Sequence, residues 1–195
     1  MRDADVRKSL HLWLRDEHRA ELDATRILDE MDVAGQVRID TVVLNGSFAG
    51  FEIKSASDTL RRLPRQIEVY SQVLDFATLV VAKNHAAKAK DLLPRWWGVI
   101  EASSVSDGVQ LRRVRKARRN ATIDPMTLCT LLWRQETLSE LEIRGTDAGV
   151  RSKPNRFLWE RLAETVSPDE LRDIVRERVK FRAGWRAETP SPLHA

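Results

Sequence analysis

Gly50-Phe51-Glu52-Ile53-Lys54-Ser55 (GFEIKS) reads as a β-strand carrying an acid and a base two residues apart, so both leave one face while Phe51 and Ile53 leave the other. One explanation for that charged face is water. An antiparallel strand with a wet side often places Glu and Lys there and turns its apolar residues to the core. The other explanation is a site, and the flanking sequence bears on the choice.

Upstream, Thr25 to Val33 (TRILDEMDV) and Val37 to Asn45 (VRIDTVVLN) look like strands, and the Asn45-Gly46-Ser47 turn makes FAGFEIKS the returning arm of a hairpin. Before them, Val6, Leu10, Trp13 and Leu14 recur with helical spacing and mark an amphipathic helix from about Asp3 to Arg19. Downstream, SASDTLRRL is an irregular connector. Pro64 lacks an N–H and suits the first helical position, which predicts a helix from about Pro64 to Leu74. Ala77 to Lys83 is a short apolar strand of the buried kind, a helix follows around Ala86 to Leu93, and WWGVIEASS and VQLRRVRKA form a hairpin split by Asp107-Gly108. The expected order is αβββαβ, then αββ.

Hairpin register decides which charges meet. A two-residue Asn-Gly turn would pair Leu44 with Ser47 and point Asp40 away from Glu52. A three-residue turn pairs Leu44 with Phe48, which sets Asp40 opposite Glu52 and Arg38 opposite Lys54. Like charges directly opposite each other are destabilising unless something lies between them. A cation between the carboxylates and a phosphate near the basic pair would turn both repulsions into binding, and two carboxylates with waters suit Mg²⁺.

The Pro64 helix adds Gln66, Val69, Tyr70 and Val73 on one stripe, so a glutamine heads a mostly apolar face and needs hydrogen bonds from the sheet or a ligand. RID with Asp40, FEIK with Glu52 and Lys54, and QIEVY with Gln66 and Tyr70 resemble, in order and spacing, the PD-(D/E)XK nuclease superfamily, most closely its RecB and lambda-exonuclease branch. The resemblance covers about residues 5 to 120, and its sharp part is Arg38 to Tyr70. Ile39 stands where the superfamily's name has proline, and no histidine upstream of Asp40 matches the metal-binding histidine of some RecB-like enzymes.

The resemblance implies an α/β fold with a PD-(D/E)XK restriction-endonuclease-like core, a central mixed sheet flanked by helices, over residues 1–120, and a helical C-terminal extension over 121–195. It implies a metal-dependent nuclease acting on DNA, in repair, recombination or defence. Asp40, Glu52 and the backbone carbonyl of Ile53 would hold Mg²⁺ or Mn²⁺, Lys54 would position the attacking water, and Gln66 and Tyr70 would orient the site. A non-catalytic DNA-binding module on the same fold is the alternative. Candidate nucleic-acid contacts are Arg38, then Arg61, Arg62 and Arg65 near the helix N-terminus, then Arg113 and Arg115 in LRRVRKARRN. Trp96 and Trp97 are read as core packing for at least one of the pair.

A chain of 195 residues, 42% hydrophobic and 32% charged, has the makeup of an ordinary globular protein able to bury a core. Its net charge of +4 permits a nucleic-acid partner without requiring one. Cys129 is the sole cysteine, so no internal disulfide forms, and His11, His18, His85 and His194 do not make a zinc spacing. With no signal-like or membrane-spanning apolar run, the expectation is a cytoplasmic protein without membrane contact. Helices are expected over Pro125 to Ile143, Asn155 to Val166, and from Ser167 and Pro168 onward. For their leucines three roles stay open: a wider DNA surface, a homodimer, or stabilisation of the fold. The tail AETPSPLHA is expected to fray.

Overall fold

The computed structural model describes residues 1–182; AETPSPLHA and His194 lie outside them. Helix α1 (Asp3–Glu17) and a short 3₁₀ segment (Arg19–Ala24) lead into β1 (Arg26–Val33), β2 (Val37–Leu44) and β3 (Phe48–Lys54). Then come α2 (Leu63–Val73), β4 (Phe76–Ala82), α3 (Lys83–Leu92), β5 (Gly98–Val105) and β6 (Gly108–Arg115). The remaining helices are α4 (Pro125–Cys129), α5 (Arg134–Ile143), α6 (Asn155–Thr165) and α7 (Pro168–Phe181). The expected αβββαβ-αββ order is present.

The strands form one six-stranded mixed sheet in sequence order, antiparallel from β1 to β3, parallel from β3 to β5, and antiparallel again at β6. Helices flank it on both faces, giving a mixed α/β fold. On one face α1 lays Val6, Leu10 and Leu14 against Val43, Phe51, Ile53 and Ile100. On the other, Val69, Tyr70 and Val73 of α2 and Ala86 and Ala89 of α3 share a core with Leu79 and Val81. Parallel strands covered on both faces are nearly continuous apolar runs, as Phe76–Ala82 shows with Thr78 as its one polar residue.

Two elements differ from expectation. The 3₁₀ segment replaces the last turn of the first helix. The helix expected over Pro125 to Ile143 is two helices: Asp124 caps the first by accepting from the Thr127 N–H (2.7 Å), and Trp133 starts the second by donating its N–H to the Glu136 carboxylate (2.7 Å). Between them Leu131 and Leu132 turn inward, so their burial takes precedence over a continuous helix.

Leu128, Leu141, Leu158, Leu171 and Val175 of the C-terminal helices, with Leu132 between two of them, belong to the same core cluster as the sheet. A buried polar knot joins them to it. Asp75 accepts from the Phe48 N–H (2.8 Å) and from Arg172 of α7, and Arg172 also donates to the Asn120 carbonyl (3.1 Å). Asn120 in turn donates to the Ser71 and Leu74 carbonyls at the end of α2 (2.8 and 3.0 Å). Among the described residues no helix is long and apolar enough to cross a membrane.

Removing one partner of a buried ion pair strands the other charge, at a cost of about 3 to 5 kcal/mol. Asp75→Ala is therefore expected to lower the urea midpoint by that equivalent, whereas Asp169→Ala, at the exposed end of the same region, should change it little; equal midpoints for wild type and Asp75→Ala would refute the role of the knot.

Candidate functional site

The hairpin register is that of the three-residue turn: Leu44 pairs with Phe48, and Gly46 takes the left-handed conformation (φ 62°) that the loop needs. A Cβ at Gly50 would lie 2.4 Å from Leu74 Cδ1, so a larger residue there would push that buried side chain aside. The ladder, however, stops at Thr41 and Phe51. Continued by one residue it would set Asp40 against Glu52; instead Asp40 Oδ2 accepts the Ile53 N–H at 2.7 Å, taking the place of a strand partner. Arg38 accordingly does not oppose Lys54. It pairs with Glu30 of β1.

The charged face of GFEIKS is not wet: Glu52 and Lys54 are 1% and 3% exposed and lie beneath α2. Glu52 Oε1 accepts from Lys54 Nζ and from Gln66 Nε2 (2.6 Å), and Oε2 accepts from the Tyr70 hydroxyl (2.5 Å). Three donors compensate a carboxylate that burial alone would make costly. The Tyr70 hydroxyl also lies 2.8 Å from the Arg38 carbonyl, so its single proton has two acceptors. Burial first, then the Glu52 charge, pushes the Tyr70 pKa far up, which keeps it a neutral donor. Its ring stacks on Trp97, with centroids 5.8 Å apart, and Trp97 is wholly buried, as expected for one of the two tryptophans.

Asp40, one-fifth exposed, is pushed up to about 7 by burial and by the Glu52 charge. The Ile53 N–H, Arg7 and Lys54 pull the other way without prevailing. Asp40, Glu52, Ile53, Lys54 and Gln66 line one cavity of about 220 Å³, whose rim carries Arg38, Arg62 and Arg65. Arg65 is tied to Glu68 (2.6 Å) and to Gln36.

The other sequence candidates lie elsewhere. Arg61 lines a neighbouring cavity. Arg113 and Arg115 are on β6 at the far edge of the sheet and do not reach the site, because their guanidinium groups are used locally. Arg113 pairs with Glu17 (2.6 Å) over the Trp13 ring, and Arg115 donates to the Trp97 carbonyl (2.6 Å).

The oxygens here suit a hard divalent cation. Two carboxylates that repel each other enough to raise Asp40 are joined by Gln66 Oε1, a buried acceptor with no partner among the described residues. The carbonyl of Ile53 leaves the strand on the same side as the N–H that Asp40 takes, so it faces the same gap. Among the described residues no three His, Cys, Asp or Glu side chains gather as a ligand group. The protein would thus offer few ligands and leave most positions to water and phosphate, as Mg²⁺ sites do.

A family model described as bacteriophage P4 protein cII matches residues 2–187. The chain belongs to that family. Protein cII of enterobacteria phage P4 is 28% identical over 183 residues, covering 93% of this chain and 68% of that protein. Among solved structures, the SPO1766 protein of unknown function from Silicibacter pomeroyi is similar at 19% identity and a TM-score of 0.41, over 70% of this chain and 86% of that one. SfsA of Pyrococcus furiosus, in complex with Ca²⁺, is similar at 16% identity and a TM-score of 0.37, over 58% and 63%.

In this cII-family chain one residue of the site escaped the sequence reading. Arg7 of α1 reaches the back of Asp40, donating to its carbonyl (2.5 Å), and pairs with Glu30 (2.7 Å) while lying 3.5 Å from Asp29. Burial works against its charge, but Asp3, Asp40, Asp29 and Glu30 outweigh that and hold its pKa above the ordinary value. Glu30, opposite Asp40 on β1, drops out of the ladder with φ 56°, a conformation costly for a residue with a side chain. The available signal was the spacing of Asp3, Arg7 and His11, a polar stripe beside the apolar one on the same helix.

Asp40 generates a pH prediction. Its folded pKa of about 7 exceeds the ordinary 3.8, so between those values the native state holds more protons than the unfolded chain, and stability falls as pH rises. Without divalent cations, the wild-type denaturation midpoint is expected to fall relative to Asp40→Asn between those pH values, by at most about 1.4 kcal/mol per pH unit. Parallel pH profiles for the two proteins would exclude the raised carboxyl.

Proposed function

We propose that the protein is a metal-dependent deoxyribonuclease of the PD-(D/E)XK type, hydrolysing phosphodiester bonds in DNA with Mg²⁺ or Mn²⁺. The observation that carries this reading is the meeting of Asp40, Glu52, Lys54 and Gln66 in one cavity rimmed by arginines. Asp40, Glu52 and the Ile53 carbonyl would hold the cation. When bound, it supplies charge stabilisation for the phosphate and lowers the pKa of a water.

The chain's own residues supply the rest. Glu52 is fixed by Gln66 and Tyr70, whose donors lie one helical turn apart on α2 and leave the carboxylate little freedom to rotate. Lys54 is the third donor to Glu52 and the buried cation of the set: once its partner carboxylate is otherwise engaged, the ammonium would be available to hold the attacking water and to balance charge on the phosphate. Arg38, Arg62 and Arg65 at the rim would take the flanking phosphates. Kinship with a phage protein fits a place in DNA recombination or defence as well as repair.

One observation favours a non-catalytic DNA-binding module: Lys54 and Glu52 already neutralise each other, so the buried pair is satisfied without a ligand. Cleavage assays on supercoiled, linear duplex, single-stranded and branched DNA separate the readings. Mg²⁺- or Mn²⁺-dependent cutting that EDTA abolishes and that Asp40→Asn and Lys54→Ala each reduce by about 100-fold or more supports the nuclease. Binding without cutting supports the module, and undiminished cutting by both variants places the activity elsewhere.

A further inference from the structure

Beside the candidate site lies a second cavity of about 370 Å³, lined by Leu60, Arg61, His85, Lys88 and Leu92 and sharing Asp58 with the first. Its walls are built. Asp58 accepts from the Ser55 N–H and hydroxyl (both 2.7 Å), which fixes the connector immediately after Lys54. Asn84 at the start of α3 donates to the Ala56 carbonyl (3.2 Å) and holds the helix against that connector. His85, Lys88 and Leu92 follow the i, i+3, i+7 spacing, so α3 presents them on a single stripe.

Three features of this cavity bear on what it could hold. Arg61 and Lys88 are in no ion pair among the described residues, unlike Arg38, Arg65 and Arg113. The Nε2 of His85 is buried and has no hydrogen-bond partner among the described residues, a state that native proteins seldom leave without a ligand or water to fill it. Leu60, which also packs against the main core, and Leu92 form an apolar wall, and Leu92 is 42% exposed although the helix it ends has a buried face available. The lone carboxylate, Asp58, is engaged by Ser55.

Two free cations and an unpartnered imidazole nitrogen beside an apolar wall match a unit with an anionic end and a flat apolar end. We infer that this cavity is a subsite for the nucleotide adjacent to the scissile phosphate, its own phosphate held by Arg61 and Lys88 and its base or sugar against Leu60 and Leu92. The inference rests on the nuclease reading, because the shared Asp58 wall makes the two cavities consecutive stations for one strand. The substrate path would then run from the arginine rim, over the carboxylates, towards α3.

The test is binding of a short fluorescein-labelled oligothymidylate to the full chain in EDTA, followed by anisotropy over a range of salt. Each phosphate contact on a single strand contributes about 0.7 to the slope of log K against log salt. Arg61→Ala with Lys88→Ala is expected to weaken binding about tenfold at low salt and to reduce the slope by about 1.4, and the His85 ring resonances of wild type should shift on adding the oligonucleotide. Both side chains are exposed, so loss of the fold does not confound the result, and circular dichroism checks it. An unchanged slope and unmoved His85 signals, with Arg62→Ala still weakening binding, would overturn the subsite and leave the nuclease reading standing. No binding by wild type would overturn the subsite for a single strand, and the metal-dependent cleavage assays above then decide the nuclease reading separately.

Discussion

The hydrogen bond from the Ile53 N–H to Asp40 is the constraint on which the site depends. Two strands of a hairpin would ordinarily exchange backbone bonds along their whole length, yet β2 and β3 part after Thr41 and Phe51. A side-chain carboxylate supplies the acceptor that the neighbouring strand no longer offers. The gap so opened is what brings Asp40 and Glu52 to one cavity without pressing them into a directly opposed pair. On the other side of β2, Glu30 leaves the ladder as well, so Asp40 sits where its strand is loosened on both edges.

Charge compensation explains why the parted strands hold. Glu52 is buried and has three donors, two from α2 and one from its own strand. Asp40 has fewer, and its carboxyl is accordingly raised to about 7. Two nearby carboxylates with unequal support are the electrostatic signature of a place that favours added positive charge or a shared proton. Arg7 meets part of that demand from behind, leaving the cavity side open.

The C-terminal helices act on the site at one remove. Through Arg172 and Asn120 they clamp Asp75 and the end of α2, the helix whose first turns carry Gln66 and Tyr70. The same knot fixes Phe48, where β3 begins. One buried network thus ties the end of the helix that carries Gln66 and Tyr70 to the start of the strand that carries Glu52.

Much of this was legible in the residues. Strand alternation in GFEIKS, the helical spacing of Gln66 and Tyr70, and the turn residues Asn45-Gly46-Ser47 are local and periodic, so the sequence by itself determined the order of helices and strands through β6, the two viable registers and five candidate side chains, while the helix expected over Pro125 to Ile143 is two. Which register holds, and that its ladder ends at Thr41 and Phe51, is a matter of packing between distant segments. So is the burial of Glu52 and Lys54, decided when α2 lies over them, and the diversion of Arg113 and Arg115 to Glu17 and Trp97. Arg7, and the pairing of Arg61 with Lys88 around one cavity, depend on elements far apart in the chain meeting in space. Periodicity states which face of an element a residue occupies; only the tertiary structure decides what that face meets, because the partners are set by long-range contacts that no local pattern encodes.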